Sequence, residues 1–187
     1  ARVAAGEWPR TESMGRELAG KRLGLVGYGA IARVTGSMAR DLGMSVGAYD
    51  PLLPEDHPAW AGALRQALPD LLSTSDVVSL HVPLTDATRN MLDAAAIAGM
   101  KPGAILINAA RGGVVDEAAL CASLRSGHLG GAALDVFARE PVDAIAGAQF
   151  ADVPNLILTP HIAGVTEESN VRVSAVTADA VARHLHA

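Results

Sequence analysis

The stretch LGLVGYGAIARVTGSMARDLGMSVGAYD, residues 23–50, sets out a strand, a glycine turn, a helix and a second strand in that order. The apolar run Leu23-Gly24-Leu25-Val26 ends at Gly27-Tyr28-Gly29-Ala30-Ile31-Ala32, after which Ile31, Val34, Met38 and Leu42 recur at helical spacing on one face. Each part has a chemical reason. Gly27 allows the tight turn, Gly29 lets the backbone approach a pyrophosphate, and the small Ala32 lets helix and strand pack closely. The phosphates would sit on the helix N-terminus, where free N–H groups point outward. The second strand, residues 45–49, ends at Asp50, 21 residues beyond Gly29 and close to the ~20 at which a carboxylate takes the ribose hydroxyls. A glycine turn alone is a weak signal. The strand before it, the amphipathic helix after it and the acid at the second strand end together read as a dinucleotide site. Pro51 and Leu52 follow Asp50, with no Arg or Lys beside it to receive a 2′-phosphate, so NAD is preferred over NADP.

Composition narrows the class. The 187 residues make one domain of comfortable size or one lobe of something larger. An apolar fraction of 50% with 19% charged residues supports a real core and excludes wholesale disorder. Aromatics are only 3%, so the core is built from Ala, Val, Leu and Ile, as parallel strands buried on both faces require. A net charge of −5 offers no basic surface for nucleic acid. No apolar run approaches the ~18 residues of a membrane span, and the N-terminus lacks a signal-peptide pattern, so a soluble chain is expected. Cys121 stands alone, which excludes an internal disulfide and fits a reducing cytoplasm. It sits in a helical stretch and reads as a structural thiol rather than a nucleophile. The chain opens without Met and stops inside a helical run, so a fragment is expected.

Taken in order, residues 1–20 are too broken for a long helix and read as an approach segment. Residues 51–58 carry three prolines and form a loop, and residues 59–72 read as helical with a break at Pro69. Further strands are expected at 76–81, 103–108, 131–135 and 155–158, with helices at 93–99, 116–126 and 167–185. This alternation argues for a doubly wound parallel sheet, an α/β fold of Rossmann type, in which right-handed crossovers cover both faces. His81, Pro83, Asn108, Arg111, Asp135 and His161 all fall at or just beyond carboxyl ends of strands, where such folds bind ligands.

The polar residues at those ends each admit two readings. Arg111 follows an apolar strand end and precedes two glycines; its guanidinium suits a bidentate grip on a carboxylate, or it is a surface Arg in a turn. His161, held between Pro160 and Ala163-Gly164, is an acid/base candidate or a structural imidazole. Glu140 is a solvated charge unless it meets His161, in which case it would hold the ring in one tautomer and favour the imidazolium. His57, His128, His184 and His186 lie in loops or the tail with no metal-ligand spacing, and no metal is expected. His81 reads as a hydrogen-bonded structural group.

The set as a whole resembles the NAD-binding domain of the D-isomer-specific 2-hydroxyacid dehydrogenases, the phosphoglycerate dehydrogenase-like group. The likeness covers nearly the whole chain, in blocks at 15–50, SLHVPLTDATRNML (79–92), MKPGAILINAARGGVVD (100–116), GGAALDVFAREP (130–141) and NLILTPHIAGVTE (155–167). It implies that Arg111 binds the substrate carboxylate, that His161 is the acid/base and that Glu140 orients it. It also implies an adenosine diphosphate site at Gly27, Gly29, Ala30, Ile31 and Asp50. Val82, Ala109, Ala110, Asp135 and the backbone of His161, Ala163 and Gly164 would lie near the nicotinamide. Ala32 departs from the more usual third glycine. Domains are expected as an approach segment (1–20), the NAD-binding domain (21–165) and a helix (166–187) leading to a substrate domain absent from this chain. The expected activity is interconversion of a D-2-hydroxy acid and a 2-oxo acid by NAD, in a cytoplasmic homodimer, with Trp8 and Trp60 as interface or core aromatics. The other class consistent with the resemblance is a non-catalytic NAD-sensing module of corepressor type.

Overall fold

The computed structural model describes residues 2–185; Ala1, His186 and Ala187 lie outside it. Seven parallel strands form one sheet: β1 (Arg22–Val26), β2 (Ser45–Tyr49), β3 (Leu64–Arg65), β4 (Val77–Leu80), β5 (Ile105–Asn108), β6 (Gly131–Leu134) and β7 (Leu156–Leu158). Their order is β3-β2-β1-β4-β5-β6-β7. The chain winds outward from β1 in one direction and then, from β4, in the other. The crevice at the carboxyl ends of β1 and β4 is the topological switch point, where open α/β sheets take ligands. The helices are α1 (Ala30–Asp41), α2 (Leu68–Thr74), α3 (Ala94–Ala98), α4 (Glu117–Arg125), α5 (Ala144–Gly147) and α6 (Glu167–Leu185). Asp93, Asp116 and Asp143 cap α3, α4 and α5, each accepting a backbone N–H of the first turn.

Both faces of the sheet are buried, as its apolar strands require. One core gathers Leu23, Leu25, Ala32, Ala39, Val46 and Ala48, and the other joins Leu71, Val78, Leu80, Leu106, Leu120 and Leu134. Helix α1 runs where the sequence puts it, but its packed face differs. Ala32, Gly36 and Ala39 are turned onto the sheet, whereas Ile31, Val34, Met38 and Leu42 are exposed. Close approach sets this choice. A Cβ on Gly36 would lie 3.2 Å from Leu25 Cδ1, so small residues are what the helix–sheet gap admits.

The segment read as one helix over 59–72 is instead a 3-10 turn (Pro58–Gly62), the short edge strand β3 and then α2. Pro69 lies in the first turn of α2, where its missing N–H costs nothing, so it starts the helix rather than breaking it. Trp60 resolves to the core: it is half-buried, stacks on Tyr28 at 5.4 Å between centroids, and donates Nε1–H to Pro54 O. Trp8 is 78% exposed on the approach segment. Helix α6 spans the residues expected, and its valines stand in solvent.

Candidate active site

The glycine turn is built as its chemistry demands. Gly27 has φ +86°, and a Cβ there would fall 2.6 Å from His81 O, so both conformation and space require glycine. Asp50 Oδ2 accepts the Tyr28 N–H at 2.9 Å and Oδ1 accepts that of Leu52 at 3.0 Å, which ties the end of β2 to the turn. Around the would-be Cβ of Gly29 the space is open. The first bond into α1 is Arg33 N–H to Gly29 O, so the amides of Ala30, Ile31 and Ala32 have no intrahelical acceptor and face that space. An open glycine floor beneath free helix N–H groups fits a pyrophosphate.

A cleft of about 670 Å³ opens there, crossing the sheet edge from α1 to the turns after β4 and β5. It brings together Gly29, Ala30, Ile31, Val82, Ala109, Ala110, Arg111, Ala163 and Gly164 from five separate stretches of chain. Gly27 and Asp50 lie behind the turn rather than in the cleft wall. Val82 and His81 line the cleft at the end of β4. Half-buried His81 has Nε2 3.0 Å from Ser79 Oγ, and burial lowers its pKa.

Beside the cleft, His161 Nδ1 and Glu140 Oε2 are 2.8 Å apart. Glu140 Oε1 also accepts the Phe137 N–H at 2.9 Å. The bond to His161 and then that amide hold the Glu140 carboxyl below its ordinary pKa. The pair borders a second cavity of about 610 Å³, mostly apolar, with Phe137, Val142, Phe150 and Leu158 in its wall. His161 has φ +55°, a left-handed conformation that costs a non-glycine residue about 1–3 kcal/mol.

The residue that holds this strained turn is Asp135. Its carboxylate, buried at the end of β6, accepts Thr159 Oγ–H at 2.5 Å and the N–H groups of Ile162 and Ala163 at 2.9 Å each. Burial pushes its pKa up, but the Thr159 hydroxyl and the two amides outweigh that and leave it lowered. Asp135, expected near the nicotinamide, therefore spends its oxygens on the loop that carries His161. Arg111 is exposed and donates Nη1–H to Ala110 O at 2.6 Å, which leaves its other N–H groups free for a ligand. The Ala109–Arg111 turn is clamped by buried Asn108, which accepts the Ala110 N–H and donates to Arg111 O.

A family model described as D-isomer specific 2-hydroxyacid dehydrogenase, NAD binding domain, matches residues 1–163. The chain belongs to this family. It is 56% identical over 185 residues to an (S)-sulfolactate dehydrogenase of Chromohalobacter salexigens, covering 98% of this chain and 59% of that protein. It is 42% identical over 180 residues to a D-3-phosphoglycerate dehydrogenase of Bacillus subtilis, covering 96% of this chain and 34% of that one. In structure it matches D-lactate dehydrogenase of Aquifex aeolicus, solved with NAD and lactic acid, at a TM-score of 0.88 and 33% identity. That match covers 99% of this chain and 60% of the other. The chain thus spans a third to three-fifths of the length of these relatives, and the part it spans is the NAD-binding domain.

For this dehydrogenase domain, the sequence reading missed Asn108 as the clamp on the Arg111 turn and Thr159 as the hydroxyl on Asp135. It also missed Glu117, whose Oε1 accepts the Ala138 N–H at 2.6 Å. Asn108, closing a strand that leads straight into Arg111, carried a usable signal. The other two act on partners 21 and 24 residues away, which no local pattern marks.

Proposed function

We propose that this chain is the cofactor half of an NAD-dependent dehydrogenase that interconverts a D-2-hydroxy acid and a 2-oxo acid. One observation carries the reading: the 2.8 Å contact between His161 and Glu140, at a strand end bordering the cleft with Arg111 on its wall. Glu140 binds the Nδ1 edge, so the Nε2 edge of the ring is the one directed at a substrate. In the reducing direction the His161 imidazolium gives its Nε2 proton to the carbonyl oxygen, and Glu140 keeps Nδ1–H bound and balances the charge. Arg111 takes the substrate carboxylate with paired N–H bonds. NAD, when bound, supplies or accepts the hydride. Gly27, Gly29, Ala30, Ile31 and Asp50 are assigned to its adenosine diphosphate part. Val82, Ala109, Ala110, Asp135, the His161 backbone, Ala163 and Gly164 are assigned to the nicotinamide end.

The relatives named for sulfolactate and phosphoglycerate favour a substrate with a second strong acid group, and the higher identity favours a sulfonate. The domain scheme follows: an arm at 1–20, the NAD-binding domain at 21–165, and a helix from 166 that leads to a substrate domain. Among the described residues no helix is long and apolar enough to cross a membrane. We place the protein in the cytoplasm on its lone Cys121, and as a homodimer in which exposed Trp8 is an interface residue. Sedimentation as a monomer at micromolar concentration would remove the dimer. The relatives give no support to a corepressor role.

A screen of the full-length protein with NADH and 3-sulfopyruvate, 3-phosphohydroxypyruvate, pyruvate and glyoxylate tests the activity. Reduction of at least one, with the sulfonated acid preferred, is expected. No NADH oxidation with any of them overturns the reading, and a preference for pyruvate overturns the substrate class.

A further inference from the structure

The peptide joining Phe137 to Ala138 touches every part of the proposed catalytic set. Its own carbonyl lies against the Arg111 turn: a Cβ on Gly112 would fall 1.7 Å from Phe137 O, so the two backbones are in direct contact. The Phe137 N–H is bonded to Glu140 Oε1, and through Glu140 to His161. The Ala138 N–H leaves the site altogether and ends on Glu117, the first residue of α4.

Glu117 is tied at both oxygens. Oε1 accepts from Ala138 at 2.6 Å, and Oε2 accepts Gln149 Nε2–H at 2.9 Å. At the other end of α4, Arg125 Nη2 donates to Gln149 O at 3.0 Å and Ala151 O at 3.3 Å. The long β6–β7 connection is therefore fastened to α4 near its start by Glu117 and near its end by Arg125. Phe137 and Phe150, one from each end, meet edge to face at 5.7 Å.

We propose that Glu117 is a positioning residue for the dehydrogenase reaction, setting the Glu140–His161 pair in register with Arg111 through the Phe137–Ala138 peptide. This rests on the dehydrogenase reading above. The carboxyl group that binds substrate and the oxygen that takes the proton belong to one small molecule, so the two protein groups that meet them must keep a fixed separation. Arg111 and Glu140 sit on different crossovers, and the packed 112/137 backbones join them only if residue 138 stays where it is. Glu117 touches neither substrate nor cofactor. Its charge at the start of α4 also favours the helix, and the test must separate that effect from registration.

Two substitutions in the full-length protein make the separation. Glu117→Asp keeps the charge at the helix start but draws the carboxylate back by one methylene from Ala138. Glu117→Gln loses the charge but keeps an oxygen at the same reach. With the best 2-oxo acid and NADH, Glu117→Asp is expected to lower kcat about 10- to 100-fold, the scale of a misplaced catalytic group. Its alkaline limb should move toward that of Glu140→Gln, with NADH affinity held within about twofold. Glu117→Gln should stay within about threefold of wild type, with its limb in place. Wild-type kcat and limb in Glu117→Asp, or a loss in Glu117→Gln as large as in Glu117→Asp, would overturn the proposal. NMR titration of the His161 ring in the same variants gives the same answer without turnover: the midpoint should move in Glu117→Asp and stay in Glu117→Gln. If no 2-oxo acid is reduced, the dehydrogenase reading has failed while the ring titration still decides whether Glu117 registers the pair.

Discussion

Asp50 carries cofactor choice in this reading, and its geometry adds a second consequence of removing it. A carboxylate at that strand end repels a 2′-phosphate, so the full-length protein should use NADH well over NADPH, and Asp50→Ala should narrow the gap by about tenfold or more. Because Asp50 also accepts the Tyr28 N–H, part of the narrowing should come from weaker NADH binding as the glycine turn loosens. Equal kcat/KM for both cofactors in the unmutated protein would contradict this. Glu140 gives a prediction of opposite character. Reduction needs the protonated ring, and the negative charge 2.8 Å away favours it. Glu140→Gln removes that charge, so the alkaline limb of the reduction profile should move to lower pH. The limb belongs to the pair rather than to either residue. A limb left in place would make Glu140 a surface charge.

Helix α1 shows which part of an element the sequence reveals. Its spacing of Ile31, Val34, Met38 and Leu42 marks a helix, but the face against the sheet is Ala32, Gly36 and Ala39. Periodicity reports that an apolar stripe exists, while the gap beside β1 selects residues by size. The pair of substitutions Ala39→Leu and Met38→Ser tests this on the isolated chain. Ala39→Leu should destabilise by about 1–3 kcal/mol through overpacking, and Met38→Ser should stay within about 0.5 kcal/mol; denaturant melts reading the reverse order would refute the packing. The strands of the sheet were legible because each is an apolar run closed by Gly, Pro or a polar residue. The edge strand β3, two residues long, and the four-residue α5 were not, since neither is long enough to show a period. Of the site, the glycine turn, Arg111, Glu140 and His161 could be picked out by their place at strand ends. The supports on which they rest, Asp135 beneath the His161 turn and Glu117 beneath residue 138, depend on contacts that exist only after the crossovers have folded back.

Across the whole molecule, several carboxylates with lowered pKa tie distant segments together. Asp76 is bonded to Lys101 and to the Arg22 amide, Asp135 to the residue 159–163 loop, and Glu140 to His161. Each is more acidic folded than unfolded, so its stabilising contribution is complete above the ordinary carboxylate range and is lost as pH falls through the folded value. Thermal melts should therefore be flat near neutrality and fall as pH drops below about 5, and a rise in stability on acidification would contradict the ion-pair assignments. The isolated 187 residues should bind NAD by calorimetry yet reduce no 2-oxo acid, because the relatives complete the chain with a further two-fifths or more of their length. The central claim is that His161 beside the cofactor cleft is the acid/base of a dehydrogenase. It is tested most directly by the steady-state rate of 2-oxo acid reduction by NADH in full-length protein, wild type against His161→Ala. The account predicts a loss of about 10²- to 10⁴-fold in kcat with NADH affinity retained; a variant that turns over at the wild-type rate would contradict it.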